Sequence, residues 1–338
     1  MRHRAGLSWI IAVTVGLFGG VPVASAEDIV KLAVPQRGAW DAAAPELGQQ
    51  AGIFKKHGIL LEILYADNGE SSQQPVIAGS VDVGLSVGVM GVLRAYANGA
   101  PLRIIGANRT GSAGYWYVPA SSSIKSAKDI TGRTIAYPIG GEMSRYDVFD
   151  LMYRYGVKAR PMPTEGAAAT LNEVVSGHVD VGWAIPPFGI DAIEREQIRV
   201  IARANDVPSI RDKTARVMVA TADTLQRRKD VVVRFMRAYR ETLEWMYSGS
   251  AAIKPYAEFA GLPENIARRL RDDFFAKNLL APDQIVGLKS ITKEALSLRY
   301  VRTSLTKAQV AELIQIPPSQ GETSVESLGG WLRVFTPR

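Results

Sequence analysis

The chain has 338 residues, 47% of them hydrophobic and 22% charged, with 40 Lys and Arg against 33 Asp and Glu, three His and no Cys. Without Cys there is no disulfide framework, no thiolate chemistry and no lipid attachment point, and three His with no suitably spaced carboxylates give no basis for a metal centre. The formal charge of +7 falls to +5 once Arg2 and Arg4 are set aside; the other cations are interspersed with acids, and the longest basic cluster, Arg227-Arg228-Lys229, opens a helix, so neither nucleic acid nor a cofactor is expected as a partner.

The N-terminus carries Arg2 and Arg4, then a largely apolar run from Leu7 to Val23, then the small residues Ala24-Ser25-Ala26. Gly16, Gly19, Gly20 and Pro22 interrupt a run that falls short of the ~20 apolar residues needed to span a bilayer. Residues 1–26 therefore read as a signal peptide, with the mature chain beginning at Glu27 and released to the periplasm without an anchor. About 310 residues follow, enough for two lobes of ordinary size.

Ile29 to Val34 reads as a strand covered on both faces, because its apolar residues run together instead of alternating. Helical spacing of Ala43, Leu47, Ala51 and Phe54 predicts a helix over 42–56 that stops at Gly58, and Ile59 to Tyr65 forms a second strand. Turn formers from Asp67 to Ser71 precede another helix ending near Gly79. Farther on, Ile130 to Pro138 reads as a turn and buried strand, Ile139 to Ser144 as a glycine-rich loop opening a helix around Tyr146 to Tyr153, Arg216 to Ala220 as a strand, and Lys229 to Tyr247 as a long helix. Breaks are expected at Gly261-Leu262-Pro263 and Pro282, and an irregular end around Pro317-Pro318 and Gly329-Gly330. Strands alternating with helices of this length predict an α/β fold with layered parallel sheets.

An internal repeat organises the chain. Val76-Ile77-Ala78-Gly79-Ser80-Val81-Asp82-Val83-Gly84-Leu85 returns 98 residues later as Val174-Val175-Ser176-Gly177-His178-Val179-Asp180-Val181-Gly182-Trp183. Each copy reads as a helix end, a glycine in the left-handed conformation, an acid at the turn and a short buried strand. Two αβ units of this kind predict two related lobes, each ending its strands in loops that face a ligand cleft.

Lys31 to Val34, Ala51-Gly52-Ile53-Phe54-Lys55-Lys56-His57-Gly58, Ile77 to Gly84 and Ser126 to Ile135, in that order and spacing, resemble the nitrate, sulfonate and taurine-type solute-binding proteins, a family that also includes thiamine-precursor synthesis proteins. The resemblance implies the type II periplasmic-binding-protein fold, in which two α/β lobes joined by two hinge crossovers clamp a ligand. It places lobe 1 at 27–107 and 209–338, lobe 2 at 113–204, and the crossovers at 108–112 and 205–208. It further implies a monomer that captures a small molecule and delivers it to an ABC permease with its ATPase, coupling delivery to closure.

Ligand contacts are expected on the strand-end loops: Gln36, Arg37 and Trp40 after the first strand, Glu70 and Ser71 at the next helix start, and Ser86, Val87 and Gly88 after the repeat strand. The second lobe adds Ser144 and Arg145 at the glycine-rich helix start and Trp183, Pro187 and Phe188 after its own repeat strand. Trp40 and Trp183 are either stacking platforms or lobe core. Arg37 and Arg145 are either surface charges or the fork that holds a sulfonate or carboxylate, whereas Glu70 opposes an anion. Together these residues point to a small organic anion.

Two other functions stand beside this one. Relatives that make the thiamine pyrimidine precursor look rich in Cys and His near their site, whereas this chain has no Cys and shows no paired acid and base. A sensing clamshell would need a separate receptor partner, since no helix-turn-helix segment follows the leader.

Overall fold

The computed structural model describes residues 27–35, 37–66, 71–139 and 142–318. Residues 1–26, expected from the sequence to be a signal peptide, Gln36, Glu70 and the final stretch containing Gly329-Gly330 lie outside the described residues. Among the described residues ten strands follow in chain order: β1 (Asp28–Pro35), β2 (Ile59–Ala66), β3 (Val83–Gly88), β4 (Leu102–Thr110), β5 (Tyr115–Pro119), β6 (Thr134–Pro138), β7 (Arg160–Thr164), β8 (Gly182–Ala184), β9 (Ile198–Arg203) and β10 (Thr214–Thr221).

The first sheet runs β2-β1-β3-β10-β4, with β1 parallel to β2 and β3 and with β10 antiparallel to both its neighbours. In the second lobe β8-β5-β9 and β6-β7 form separate ladders, joined by a parallel bridge between Ile135 and Val181. Through that bridge Ala136 N–H donates to the Val181 carbonyl at 2.7 Å and Val181 N–H to the Thr134 carbonyl at 3.0 Å. The second lobe therefore reads β7-β6-β8-β5-β9, the same order with β5 in the antiparallel place that β10 fills in the first. This is the two-lobed α/β fold expected from the alternation of elements.

The sequence repeat falls on equivalent positions. Gly79 (φ 72°) and Gly177 (φ 79°) both end a helix in the left-handed region, where a Cβ would be strained. The Asp82 carboxylate then accepts from Lys31 N–H at 2.8 Å, and the Asp180 carboxylate from Thr134 N–H at 2.8 Å, so each fastens its repeat strand to the parallel strand beside it, β1 in one lobe and β6 in the other. Gly84 and Gly182 follow because the space is taken: a Cβ there would meet Val76 at 2.9 Å and the Tyr117 ring at 2.4 Å respectively.

Helices cover the sheets. In the helix Lys229–Tyr247, Val231, Val232, Phe235, Met236, Ala238, Tyr239, Leu243 and Met246 are buried at helical spacing, and this face closes the first-lobe core with Trp40, Leu47 and Phe54. The helix expected over 42–56 is instead three short pieces, Trp40–Ala42, Ala44–Gln50 and Ile53–Lys56. Gly52 at φ 74° turns the chain so that both Leu47 and Phe54 reach the core.

The chain leaves the first sheet after Thr110, enters the second at Tyr115, leaves it after Arg203 and returns at Thr214. The expected first crossover thus overlaps β4, because Asn108, Arg109 and Thr110 still belong to the ladder. The two crossing segments are tied together by Gly111 N–H to the Lys213 carbonyl (2.8 Å), Ser112 N–H to Asn205 Oδ1 (3.0 Å) and Ala204 N–H to the Gly114 carbonyl (2.8 Å). A third link is the helix Glu264–Phe274: Arg203 donates to the Asp273 carbonyl at 2.6 Å and lies 4.3 Å from the Phe274 ring centroid, which packs at a tilt 5.2 Å from the Tyr115 ring. Among the described residues no helix is long and apolar enough to cross a membrane.

Candidate functional site

Strand register determines which sheet edges meet. Gly88 at the carboxyl end of β3 pairs with Arg216 at the start of β10, which pairs with Arg109 at the end of β4, immediately before the crossover. In the second lobe Ala184 at the carboxyl end of β8 pairs with Tyr115, immediately after it. The carboxyl ends of β3 and β8, and of β1 and β6 parallel to them, therefore lie on the crossover side of both sheets. In open α/β sheets this is the edge where ligands bind.

On the first-lobe side this edge is cationic. Arg109, 7% exposed, donates to the Asp41 carboxylate, 4% exposed, at 3.0 Å, while its Nε has no partner among the described residues. Asn108 steadies Asp41 by donating Nδ2 to its carbonyl and to the Tyr239 hydroxyl, both at 3.0 Å. Arg216 is partly buried beside this pair. Burial, together with the like charge of Arg109 and against the attraction of Asp41, pushes its guanidinium down to about 10.

On the second-lobe side the Ser112 hydroxyl donates to Asp147 Oδ2 at 3.1 Å and accepts from Gly114 N–H at 3.1 Å. Asp147 lies in the helix Glu142–Tyr155 and is 2% exposed. Burial pushes its carboxyl up to about 7, opposed by the Ser112 hydroxyl and the Arg109 charge. A Cβ on Gly114 would sit 2.9 Å from Trp183 Nε1 and 3.0 Å from Asp147 Oδ2, so only glycine leaves room for this grouping.

The expected contacts divide by burial. Trp40 is fully buried: its Nε1 donates to the Tyr247 hydroxyl at 2.9 Å and its ring lies 4.7 Å from Tyr256, which makes it lobe core with no free face. Trp183 and Val87 are likewise packed in the cores of their lobes. Ser144 is fully buried and donates to the Pro138 carbonyl at 2.8 Å, bracing the helix start. Ser86, 6% exposed, has a φ of 53°, unusual for a residue with a Cβ and a mark of local strain. Ser71, Gly88, Pro187 and Phe188 are half-buried, and Arg37 and Arg145 are exposed. Arg37 lies over Tyr65 and Phe259 at 5.5 and 4.9 Å, and Arg145 lies 5.7 Å from Phe149 of its own helix. Gln36 and Glu70 lie outside the described residues.

Asp41, Arg109, Ser112, Asp147 and Arg216 escaped the sequence reading. The available signal was a charge at the end of an apolar run, Arg109 after Ile104 to Ala107 and Arg216 before Val217 to Ala220.

A cavity of about 380 Å³ lies elsewhere, between β9 and the helix Glu264–Phe274. Its arginines are already engaged: Arg199 by the Ser122 and Ile124 carbonyls, Arg203 by Asp273 and Arg269 by Glu194.

Two sheets of the same strand order, joined by two crossovers, define the class of periplasmic-binding-protein folds. The family profile described as NMT1/THI5-like matches residues 44–250, and the chain belongs to that family. The solved aliphatic sulphonate-binding protein SsuA of Escherichia coli has a TM-score of 0.69 at 18% identity, covering 90% of this chain and 98% of that one. SsuA of Xanthomonas axonopodis pv. citri, solved bound to MOPS, has a TM-score of 0.61 at 17% identity, with 86% and 99% covered. Among curated proteins, the 4-amino-5-hydroxymethyl-2-methylpyrimidine phosphate synthases THI12 and THI5 of Saccharomyces cerevisiae are 22% identical over 226 residues, 63% of this chain. The match spans 66% of the length of those relatives, just under two thirds.

Proposed function

We propose that this protein is the solute-binding component of an ABC importer, acting in the periplasm after loss of residues 1–26, and that it captures a small organic anion between its lobes. The observation that carries this reading is the convergence of both sets of strand ends on the crossovers. Loops on two bodies face one another there, and a ligand that contacts both favours closure. The likeness to sulfonate-binding proteins supports an anionic ligand. The residues proposed to reach it are the accessible members of the expected set, Arg37, Ser71, Gly88, Arg145, Pro187 and Phe188, together with Gln36 and Glu70 from the sequence expectation.

A binder fits this chain better than a synthase. It has no Cys, and the buried carboxyl at the crossover, Asp147, is held by Ser112 with no His beside it among the described residues. The test is a thermal-shift and calorimetric panel of alkanesulfonates, aromatic sulfonates, carboxylates and neutral alcohols, with product analysis after incubation. Saturable one-to-one binding of an anion with no turnover supports the reading. Turnover of any compound without a partner, or binding confined to the neutral compounds, overturns it.

A further inference from the structure

We infer that Arg216, a residue outside the expected contact set, is the anchor for the ligand's anionic head, a sulfonate or carboxylate; this rests on the anion-capture reading above. Three observations place it there. First, Arg216 occupies the row Gly88–Arg216–Arg109 at the crossover edge of the first sheet, and a Cβ on Gly88 would lie 3.4 Å from its Nη1. The guanidinium therefore lies over bare backbone at the one position in the row without a side chain.

Second, the Arg216 guanidinium makes no hydrogen bond or ion pair among the described residues. Asp41, the carboxylate that acts on it, is already bonded to Arg109. A cation withdrawn from water beside a second cation costs stability, and a chain retains such an arrangement where an incoming anion restores the balance. Third, Gly88 is the N-cap of the nine-residue helix Val89–Ala97 and supplies no side-chain cap. Its first-turn N–H groups and the positive end of its dipole open beside the guanidinium. Guanidinium and backbone N–H groups together suit a head with two or three oxygens.

The charge balance separates this role from a structural one. Removing a structural arginine lowers stability, whereas removing an unpaired, partly desolvated one leaves the unliganded protein as stable or more so.

The test is calorimetry of the wild type, Arg216→Gln and Gly88→Val with 1-butanesulfonate, benzenesulfonate, valerate, benzoate and 1-pentanol, alongside unliganded melting curves and the exposed-surface control Arg227→Gln. The inference predicts at least about a thirtyfold loss for every anion the wild type binds in both cleft variants. It also predicts no loss in Arg227→Gln and an unliganded melting temperature in Arg216→Gln at or above that of the wild type. Comparison of the sulfonate and carboxylate arms identifies the head group. Wild-type affinity in Arg216→Gln, or a lowered unliganded melting temperature with affinity retained in Gly88→Val, overturns the role of Arg216 and leaves anion capture standing. A wild type that binds none of the four anions overturns both.

Discussion

Asp82 and Asp180, in different lobes, hold the same hydrogen bond: each carboxylate accepts at 2.8 Å from a backbone N–H of the parallel strand beside its repeat strand, Lys31 of β1 in one and Thr134 of β6 in the other. Asp82 also pairs with Arg228 at 2.7 Å, and Asp180 with the Thr134 hydroxyl at 2.8 Å. Replacing either by Ala leaves an N–H without its acceptor and is expected to cost about 1–3 kcal/mol in urea unfolding. Asp180 carries a pH signature as well. Although burial opposes its ionisation, the hydrogen bonds from Thr134 and the charge of Arg133 hold its carboxyl below the usual 3.8. Its contribution is therefore present above that value and lost as pH falls through the lower folded one, a loss that Asp180→Asn removes.

Asp147 has the opposite sign. Folded, it keeps its proton up to about pH 7, whereas the unfolded chain releases it near 3.8. The stability it contributes is complete below about 3.8 and falls as pH rises through about 7. Asp147→Asn, which keeps an acceptor for the Ser112 hydroxyl, should gain on the wild type steadily between pH 4 and 7 and hold that gain above 7. Paired melting curves across this range check it, and parallel curves would contradict the assigned burial.

The repeat glycines make a steric prediction. Gly182→Ala drives a Cβ to within 2.4–2.7 Å of the Tyr117 ring, and Gly84→Ala brings one to 2.9 Å from Val76 and 3.0 Å from the Ser72 carbonyl. Overpacking of this kind costs about 1–3 kcal/mol, with the larger loss expected at Gly182, where a buried ring must move. Denaturant midpoints of the two variants test the order.

Phe274 joins the lobes outside the crossovers, packed at a tilt against Tyr115 and under the Arg203 guanidinium. Phe274→Ala is expected to cost about 3–5 kcal/mol and to speed amide exchange in β9 and in residues 264–275 above all. Exchange that changes only at the site itself would show that this link does not couple the lobes.

The part of this architecture legible in the sequence is the part that local chemistry dictates. A left-handed glycine, a turn acid and a buried Val-Asp-Val-Gly strand recur because each lobe meets the same hydrogen-bonding demand, and strand-helix alternation yields the layers. The antiparallel strand β10 was legible as a strand, but its pairing partners lie far off in the chain, so neither the row Gly88–Arg216–Arg109 nor the positions of Asp41 and Asp147 could be read locally. Trp40 illustrates the same limit. An aromatic residue after a strand end suits a stacking platform or a core, and the choice is made by Tyr247 and Tyr256, more than 200 residues away.

Solution X-ray scattering with and without a saturating organic anion tests the closing of two related lobes on a ligand most directly. The radius of gyration should fall, and the maximum dimension with it, when the anion that scores in calorimetry is added. A scattering profile unchanged at full occupancy would contradict capture between the lobes.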